Sequence, residues 1–522
     1  MKRFILLYII LVSLSAVGQK AKDSVKTEVI EVTRSFDPKV QDAYKLQVNP
    51  EIDALPEDKI PVNYQIQSIP VASTFQPEKG SMAGYQPGSL KQDVYNSYAD
   101  FSFGNYTQIK TDAFIFYPVS DKLESALAIS HYSSQGKATD NFTYLPFYHT
   151  AVDALFNYKT NQNIWRFDLG YDGHINDLQQ DKSINFITPP DIQNSTNKFN
   201  NFHVDVNGDF RDFTIKNFRL KYNNFWDQFD NSEHFIRLNS DLILPIGSID
   251  LKLGLQTDLA SGSLGNGQFL NPGNDFNVDY NNLDFGVLPA VQVENDNIIA
   301  NLGAKLFYQN NANYNQFQFI PDVNIHLNLI YERLTVVAGV TGDLQQNAQT
   351  AFYKQNPYTF LTNDLVPSLT PYDIFGGFNG ALSSAFAYEI KLGYKKIRNA
   401  AFYNYNMAFP PLVSYSVVYD DMTQSYFQTD FDISIGKKLD LKLGLTYMQN
   451  NTENLTKPLY LPDYSFKTLF IFKPTEKLNF NLSLNSIGKR TYNLLGDKTL
   501  KAYSDLNAGF RYKINKEFTG FI

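Results

Sequence analysis

The sequence predicts an all-β protein, a transmembrane antiparallel β-barrel of about 20 complete strands preceded by a short extended segment. Three observations predict it. Long segments alternate strictly between apolar and polar residues, the links between them are short and long in turn, and the exported N-terminus is followed by no membrane-spanning helix.

The alternation is the most informative of the three. After Ile249, the odd positions Leu251, Leu253, Leu255 and Leu259 are aliphatic, with Asp250, Lys252, Gly254, Gln256 and Asp258 between them. Phe202, Val204, Val206 and Phe210 alternate with His203, Asp205, Asn207 and Asp209. Trp165, Phe167, Leu169 and Tyr171 alternate with Arg166, Asp168, Gly170 and Asp172. The same period runs through 218–226, 236–244, 323–329, 439–447, 464–472 and 506–514. Successive side chains of a strand point to opposite faces, so each segment has one oily and one polar face. A soluble sandwich turns the oily face inward and uses strands of about 5 or 6 residues. A membrane barrel turns it outward, with tilted strands of about 9–11 residues around a polar lumen. The segments here are long. Their polar faces also mix charge signs, Arg219 and Lys221 being followed by Arg237 and Asp241, which suits a hydrated interior.

Link lengths point the same way. Short links fall near 118–122, 160–162, 211–213, 245–248, 294–296, 331–333, 382–385, 436–438, 473–476 and 515–517. Mostly longer ones lie between them, at 135–146, 174–197, 261–275, 345–370, 397–423, 450–462 and 486–500. Outer-membrane barrels have short periplasmic turns at one rim and longer extracellular loops at the other; a sandwich has no reason to keep that parity. The count gives about twenty complete strands from near Ser97 to Ile514, and the start of another at Phe518. Single-chain barrels of this class close with an even number of strands, so the intact barrel is expected to have 22, with the chain truncated at its C-terminus.

The ends and the composition define the rest. Lys2 and Arg3, the apolar run Phe4 to Val12, and the small residues Ser13, Ser15, Ala16 and Gly18 make the tripartite pattern of a secretory signal peptide. No later stretch offers about 18 uninterrupted apolar residues, so a membrane helix is not predicted. Residues 19–95 are polar and interrupted by Pro38, Pro50, Pro56, Pro61, Pro70, Pro77 and Pro87, and read as extended, with short strands at most at 29–33 and 62–69. Three regions follow: signal peptide 1–18, Pro-rich segment 19–95 and barrel 96–522. The chain has 42 Phe and 34 Tyr but 2 Trp, no Cys, and a net charge of -8. The missing cysteine excludes disulfides and thiol chemistry, and an acidic chain without a basic run does not fit nucleic acid as a partner.

A family resemblance adds to this reading. The segment Glu28-Val29-Ile30-Glu31-Val32-Thr33, the run Ile69-Pro70-Val71-Ala72-Ser73-Thr74-Phe75, and the blocks 98–106, 413–421 and 510–514 resemble the TonB-dependent receptor-like outer-membrane proteins of Bacteroidetes. The resemblance implies a 22-stranded barrel in the outer membrane, a solute ligand, and TonB or a surface lipoprotein as a protein partner, with membrane lipid around the wall. It also marks a departure. Members of the wider family carry a lumen-filling plug of well over a hundred residues, whereas only about 75 residues stand here between the signal peptide and the first barrel strand.

With Trp165, Leu169, Val204 and Leu253 facing lipid, Arg166, Asp168, His203, Asp205, Arg219, Lys221, Arg237, Asp241, Asp250, Lys252 and Asp258 are expected to face the lumen, where such charges tune passage. Trp165, Tyr171, Tyr222, Trp226 and Tyr447 are expected in the interfacial aromatic girdles. His131, His149, His174, His203, His234 and His326 lie far apart with no paired ligand spacing, so no metal is predicted. Asp420 and Asp421 read as a solvated turn and Gly265-Asn266-Gly267 as a loop turn. No catalytic motif, phosphate loop or dinucleotide fingerprint occurs, and neither enzyme nor cofactor is predicted. The expected function is binding or passing a solute through a polar lumen; the alternative is an accessory or scaffold in outer-membrane assembly or secretion.

Overall fold

The computed structural model describes residues 96–136, 146–177, 196–247, 249–265, 278–311, 315–361, 365–405, 414–496 and 498–522. The signal peptide, the Pro-rich segment with its two expected strands, and Asn266-Gly267 of the expected loop turn lie outside the described residues.

The alternating segments form strands in chain order. The first half comprises β1 (Tyr98–Gly104), β2 (Gln108–Pro118), β3 (Leu123–Ser134), β4 (Phe147–Lys159), β5 (Asn163–Asp177), β6 (Thr196–Phe210), β7 (Ile215–Asp227), β8 (Ser232–Ile246), β9 (Ile249–Leu264), β10 (Val278–Glu294) and β11 (Ile298–Asn310). Then follow β12 (Asn315–Ile330), β13 (Leu334–Gln345), the helix α1 (Gln349–Gln355), β14 (Ser368–Ser383), β15 (Phe386–Tyr405), β16 (Tyr415–Ile435), β17 (Leu439–Thr452), β18 (Tyr464–Thr475) and β19 (Leu478–Ile487). The last elements are β20 (Arg490–Thr491), β21 (Thr499–Leu500), β22 (Tyr503–Lys513) and β23 (Thr519–Phe521). From β1 to β19 each strand pairs antiparallel with the next, β19 pairs with β22 and β22 with β23, giving a 21-stranded meander; β20 and β21 form a separate ribbon. This is the wall of an antiparallel β-barrel. No described helix is long and apolar enough to cross a membrane.

At one rim the turns are tight for a local reason. Ser120 Oγ, Thr160 Oγ1, Asn295 Oδ1, Thr475 Oγ1 and Asn515 Oδ1 each accept the N–H three residues on, at 3.1, 2.9, 2.8, 3.2 and 2.8 Å. A short polar side chain thus supplies the hydrogen bond that a hairpin turn otherwise takes from backbone. Gly247 and Gly436 sit in two more of these turns at φ +66 and +61, where a side chain is strained. The opposite rim carries the longer links, with short exceptions at 105–107, 228–231 and 311–314.

Two expectations are corrected by strand length. Much of the expected link 397–423 is strand: β15 runs to Tyr405 and β16 begins at Tyr415. Asp420 and Asp421 therefore lie in β16, not in a turn. Asp420 is buried, its carboxylate accepting Asn454 N at 2.9 Å, Leu455 N at 2.7 Å and Asn454 Nδ2 at 2.8 Å, which ties down the link after β17. The expected link 345–370 also holds structure, since α1 folds within it.

Candidate functional site

Residues directly paired across strands point to the same face, so the unbroken registers from Arg166 on β5 to Gln309 on β11 assign the faces of their side chains. One rung runs Asp168, Asp205, Lys221, Arg237, Asp258, Asp284, Gln309 across β5–β11. The next rung toward the tight-turn rim runs Arg166, Asn207, Arg219, Asn239, Gln256, and the one beyond it includes Asp209, Asn217 and Asp241. Asp250 and Lys252 continue this face along β9, and His203 lies on the rung above Asp205. The eleven charged or imidazole positions singled out from sequence therefore share one face. Leu169, Leu302 and Phe285 on the other face are 48%, 45% and 44% exposed.

The polar face is cross-linked rung by rung. Arg237 binds Asp258 through two parallel bonds, Nε to Oδ1 at 2.7 Å and Nη2 to Oδ2 at 2.8 Å. Arg166 Nη1 reaches Asp209 Oδ2 at 2.6 Å, Arg219 Nε reaches Asn207 Oδ1 at 2.6 Å, and Asn217 Nδ2 donates to Asp241 Oδ2 at 2.6 Å. Lys252 Nζ donates to Gln292. Asp284, buried beside this ladder, was not singled out from sequence; only its register with Asp258 reveals it.

Residues 346–361 and 365–367, in the link between β13 and β14, pack on the same face. Tyr353 is fully buried, its ring 5.5 Å from Phe199 and 5.0 Å from Phe225, and its hydroxyl accepts from Asn231 Nδ2 at 3.1 Å. The Glu233 carboxylate caps the helix start, accepting Gln349 N at 3.0 Å and the Tyr280 hydroxyl at 2.6 Å. Gln349 Nε2 donates to Ser232 O at 2.9 Å, and Asn282 Nδ2 holds Leu365 O at 2.6 Å. Lys354 Nζ reaches Asp172 Oδ2 on β5 at 2.6 Å, while the Tyr403 hydroxyl on β15 donates to Phe352 O at 3.1 Å. Ten strand steps separate β5 from β15, about 48 Å in a flat sheet at ~4.8 Å per strand, yet residues two apart on one short helix touch both. The sheet therefore curves around α1, and the face it packs on is the concave one.

Three histidines converge beside Lys354. His149 and His174 are register partners with rings stacked 4.0 Å apart, and His203 Nε2 lies 3.2 Å from Asp153 Oδ1. His131 contacts Thr150 Oγ1 at 2.8 Å, His234 Nδ1 contacts the Tyr222 hydroxyl at 2.9 Å, and His326 stands opposite Val337.

The expected girdle residues lie on the convex face at two levels. Trp165 packs with Phe167, Phe210 and Phe218 near the tight-turn rim. Trp226 stands 6.4 Å from Tyr171 toward the long-link rim, with Tyr222 between the levels, and Tyr447 is exposed on β17.

No known protein family matches this sequence, and no curated protein matches it either. Solved structures match the fold. The siderophore receptor PirA from Acinetobacter baumannii superposes with a TM-score of 0.59 at 12% identity, over 80% of this chain and 74% of that one. A mutant ferric enterobactin receptor, PfeA from Pseudomonas aeruginosa, in complex with enterobactin gives 0.58 at 13% identity, over 80% and 73%. The ferric-catecholate import receptor Fiu from E. coli K12 gives 0.56 at 10% identity, over 80% and 75%. The chain thus has the barrel fold of outer-membrane receptors.

Proposed function

We propose that the protein is an outer-membrane receptor that admits a polar solute from the long-link rim into a hydrated lumen, with α1 and residues 356–361 as its internal constriction. The observation that carries this reading is α1, held by Asp172 on β5 and Tyr403 on β15 across a concave face lined with charged rungs. A structural barrel with no traffic has little use for a lumen wall in which Arg, Lys and Asp alternate. A channel does, because such positions set which ions and solutes enter. The neighbours' names supply the ligand class, a small polar chelate of the siderophore kind. In this reading residues 1–18 are the export leader, 19–95 a periplasmic or lumenal segment that TonB or a surface lipoprotein complements, and 96–522 the barrel.

Conductance across planar bilayers tests it. Replacing residues 349–361 by a Gly-Ser bridge is expected to raise single-channel conductance several-fold over the full chain. A replaced protein that still migrates as a folded barrel before heating, yet conducts no better than the full chain, overturns the transport reading.

A further inference from the structure

We propose that the concave face of β4–β6 carries a binding site for a divalent first-row transition-metal ion, ligated by His149, His174 and Asp172, with Asp153, Asp168 and His203 as an adjoining ligand set. The two sets each bring their nitrogen and oxygen donor atoms within 4.8 Å of one another. Register makes them, since His149 faces His174, Gly170 faces both Asp153 and His203, and Asp172 lies one rung below His174.

The donor atoms are of the kind a metal takes. His149 Nε2, His174 Nε2 and Asp168 Oδ1 are buried and have no hydrogen-bond partner among the described residues. Buried polar atoms are almost always paired, so three orphans in one cluster call for a partner. His149 Nε2 stands 3.7 Å from Asp172 Oδ1, too far for a hydrogen bond. Ligand atoms about 2.0–2.1 Å from a tetrahedral ion lie ~3.3 Å apart; the His149 and His174 rings stack 15° from parallel, so one imidazole has to turn out of the stack to aim both nitrogen lone pairs at one ion. Two imidazoles and a carboxylate suit Zn2+, Ni2+, Cu2+ or Fe2+ rather than Ca2+ or Mg2+. Gly170 keeps the adjoining set open, because a Cβ there would overlap the Asp153 carboxylate and the His203 ring. A cleft of about 440 Å³ lined by Lys110, Asp112, Ser130 and Tyr132 among others reaches the set at His149.

Lys354 sets the strength of this site. Its ammonium holds Asp172 Oδ2, leaving Oδ1 toward His149, so a metal ion would share its carboxylate with a fixed positive charge. His174 also stacks on Phe199 at 4.4 Å, and a purely packing role for the histidines is the competing account.

Zn2+ calorimetry and Cu2+ electron paramagnetic resonance on the refolded chain in detergent, free of any polyhistidine tag, separate the two. Saturable Zn2+ binding and a Cu2+ spectrum with nitrogen hyperfine structure are expected. His149→Ala/His174→Ala should abolish both while heat-modifiable migration is retained, and Lys354→Met should tighten Zn2+ binding several-fold. Binding that survives the double substitution, or an affinity indifferent to Lys354→Met, overturns the assignment. Should the double variant fail to fold, the spectrum of the unmodified chain decides: oxygen-only ligation, or no saturable binding, overturns it. The site stands or falls independently of conductance.

Discussion

Arg237 and Asp258 form a two-bond ion pair on the concave face, and their burial differs in a way that sets the cost of breaking it. The Asp258 side chain is 1% exposed while that of Arg237 is 33% exposed. Removing the guanidinium strands a buried carboxylate, the costly half of such a pair, whereas removing both charges together is often close to neutral. Arg237→Leu is expected to lower barrel stability by about 2–3 kcal/mol, at the lower edge of the fully buried case because Arg237 is partly hydrated. Arg237→Leu/Asp258→Leu should regain most of that loss. Urea unfolding followed by tryptophan fluorescence checks both; a double variant no more stable than the single one would mean that the rung depends on Arg237 for packing and not for charge.

At the scale of elements, α1 shows why some of the site is legible in sequence and some is not. The polar face of the strands could be read directly, because alternation in 202–210 and 249–259 leaves no doubt which residues share a side. Docking of α1 and residues 356–361 could not, since nothing in their sequence says which wall they meet. A trace exists nonetheless: alternation fails at Phe225-Trp226, Phe235-Ile236 and Leu259-Ala260, where both faces become apolar, and Phe225, Phe235 and Ala260 are the positions buried against the link. The histidine cluster has no such trace, because 149 and 174 meet only through a register that the link 160–162 fixes. Tyr353 is the main anchor of α1. Truncating a buried aromatic costs about 3–5 kcal/mol, and that loss falls on the least stable cooperative unit that contains it. Tyr353→Ala should therefore leave the urea midpoint of the barrel nearly unchanged and raise amide exchange in 349–361 by roughly a hundredfold or more. Equal exchange in the two proteins would mean that Tyr353 does not hold the link in place.

For the whole molecule, the governing quantity is the height of the oily belt on the convex face. Trp165 is level with Phe218 through Gly208, and Trp226 lies eight residues further along β7 (226 − 218). At about 3.3 Å per residue that is roughly 26 Å along the strand, and a strand tilt of about 40° reduces it to near 20 Å, close to the ~25 Å apolar band of outer-membrane barrels. Two interfacial girdles at Trp165 and Trp226 would need a belt of about that height. An arginine placed at either of two adjacent positions on one strand tests this orientation. Leu302 on β11 is 45% exposed on the convex face, while Asn301 shares the concave face with its partner Asn324. In lipid, an arginine on the outward face costs about 2–4 kcal/mol at the bilayer midplane and less toward the interfaces, whereas a lumen position is hydrated. Leu302→Arg is therefore expected to lower folding stability in lipid vesicles by about 2 kcal/mol, and Asn301→Arg to lower it by less than half as much. A larger penalty at Asn301 than at Leu302 would place the hydrocarbon on the wrong side of the sheet.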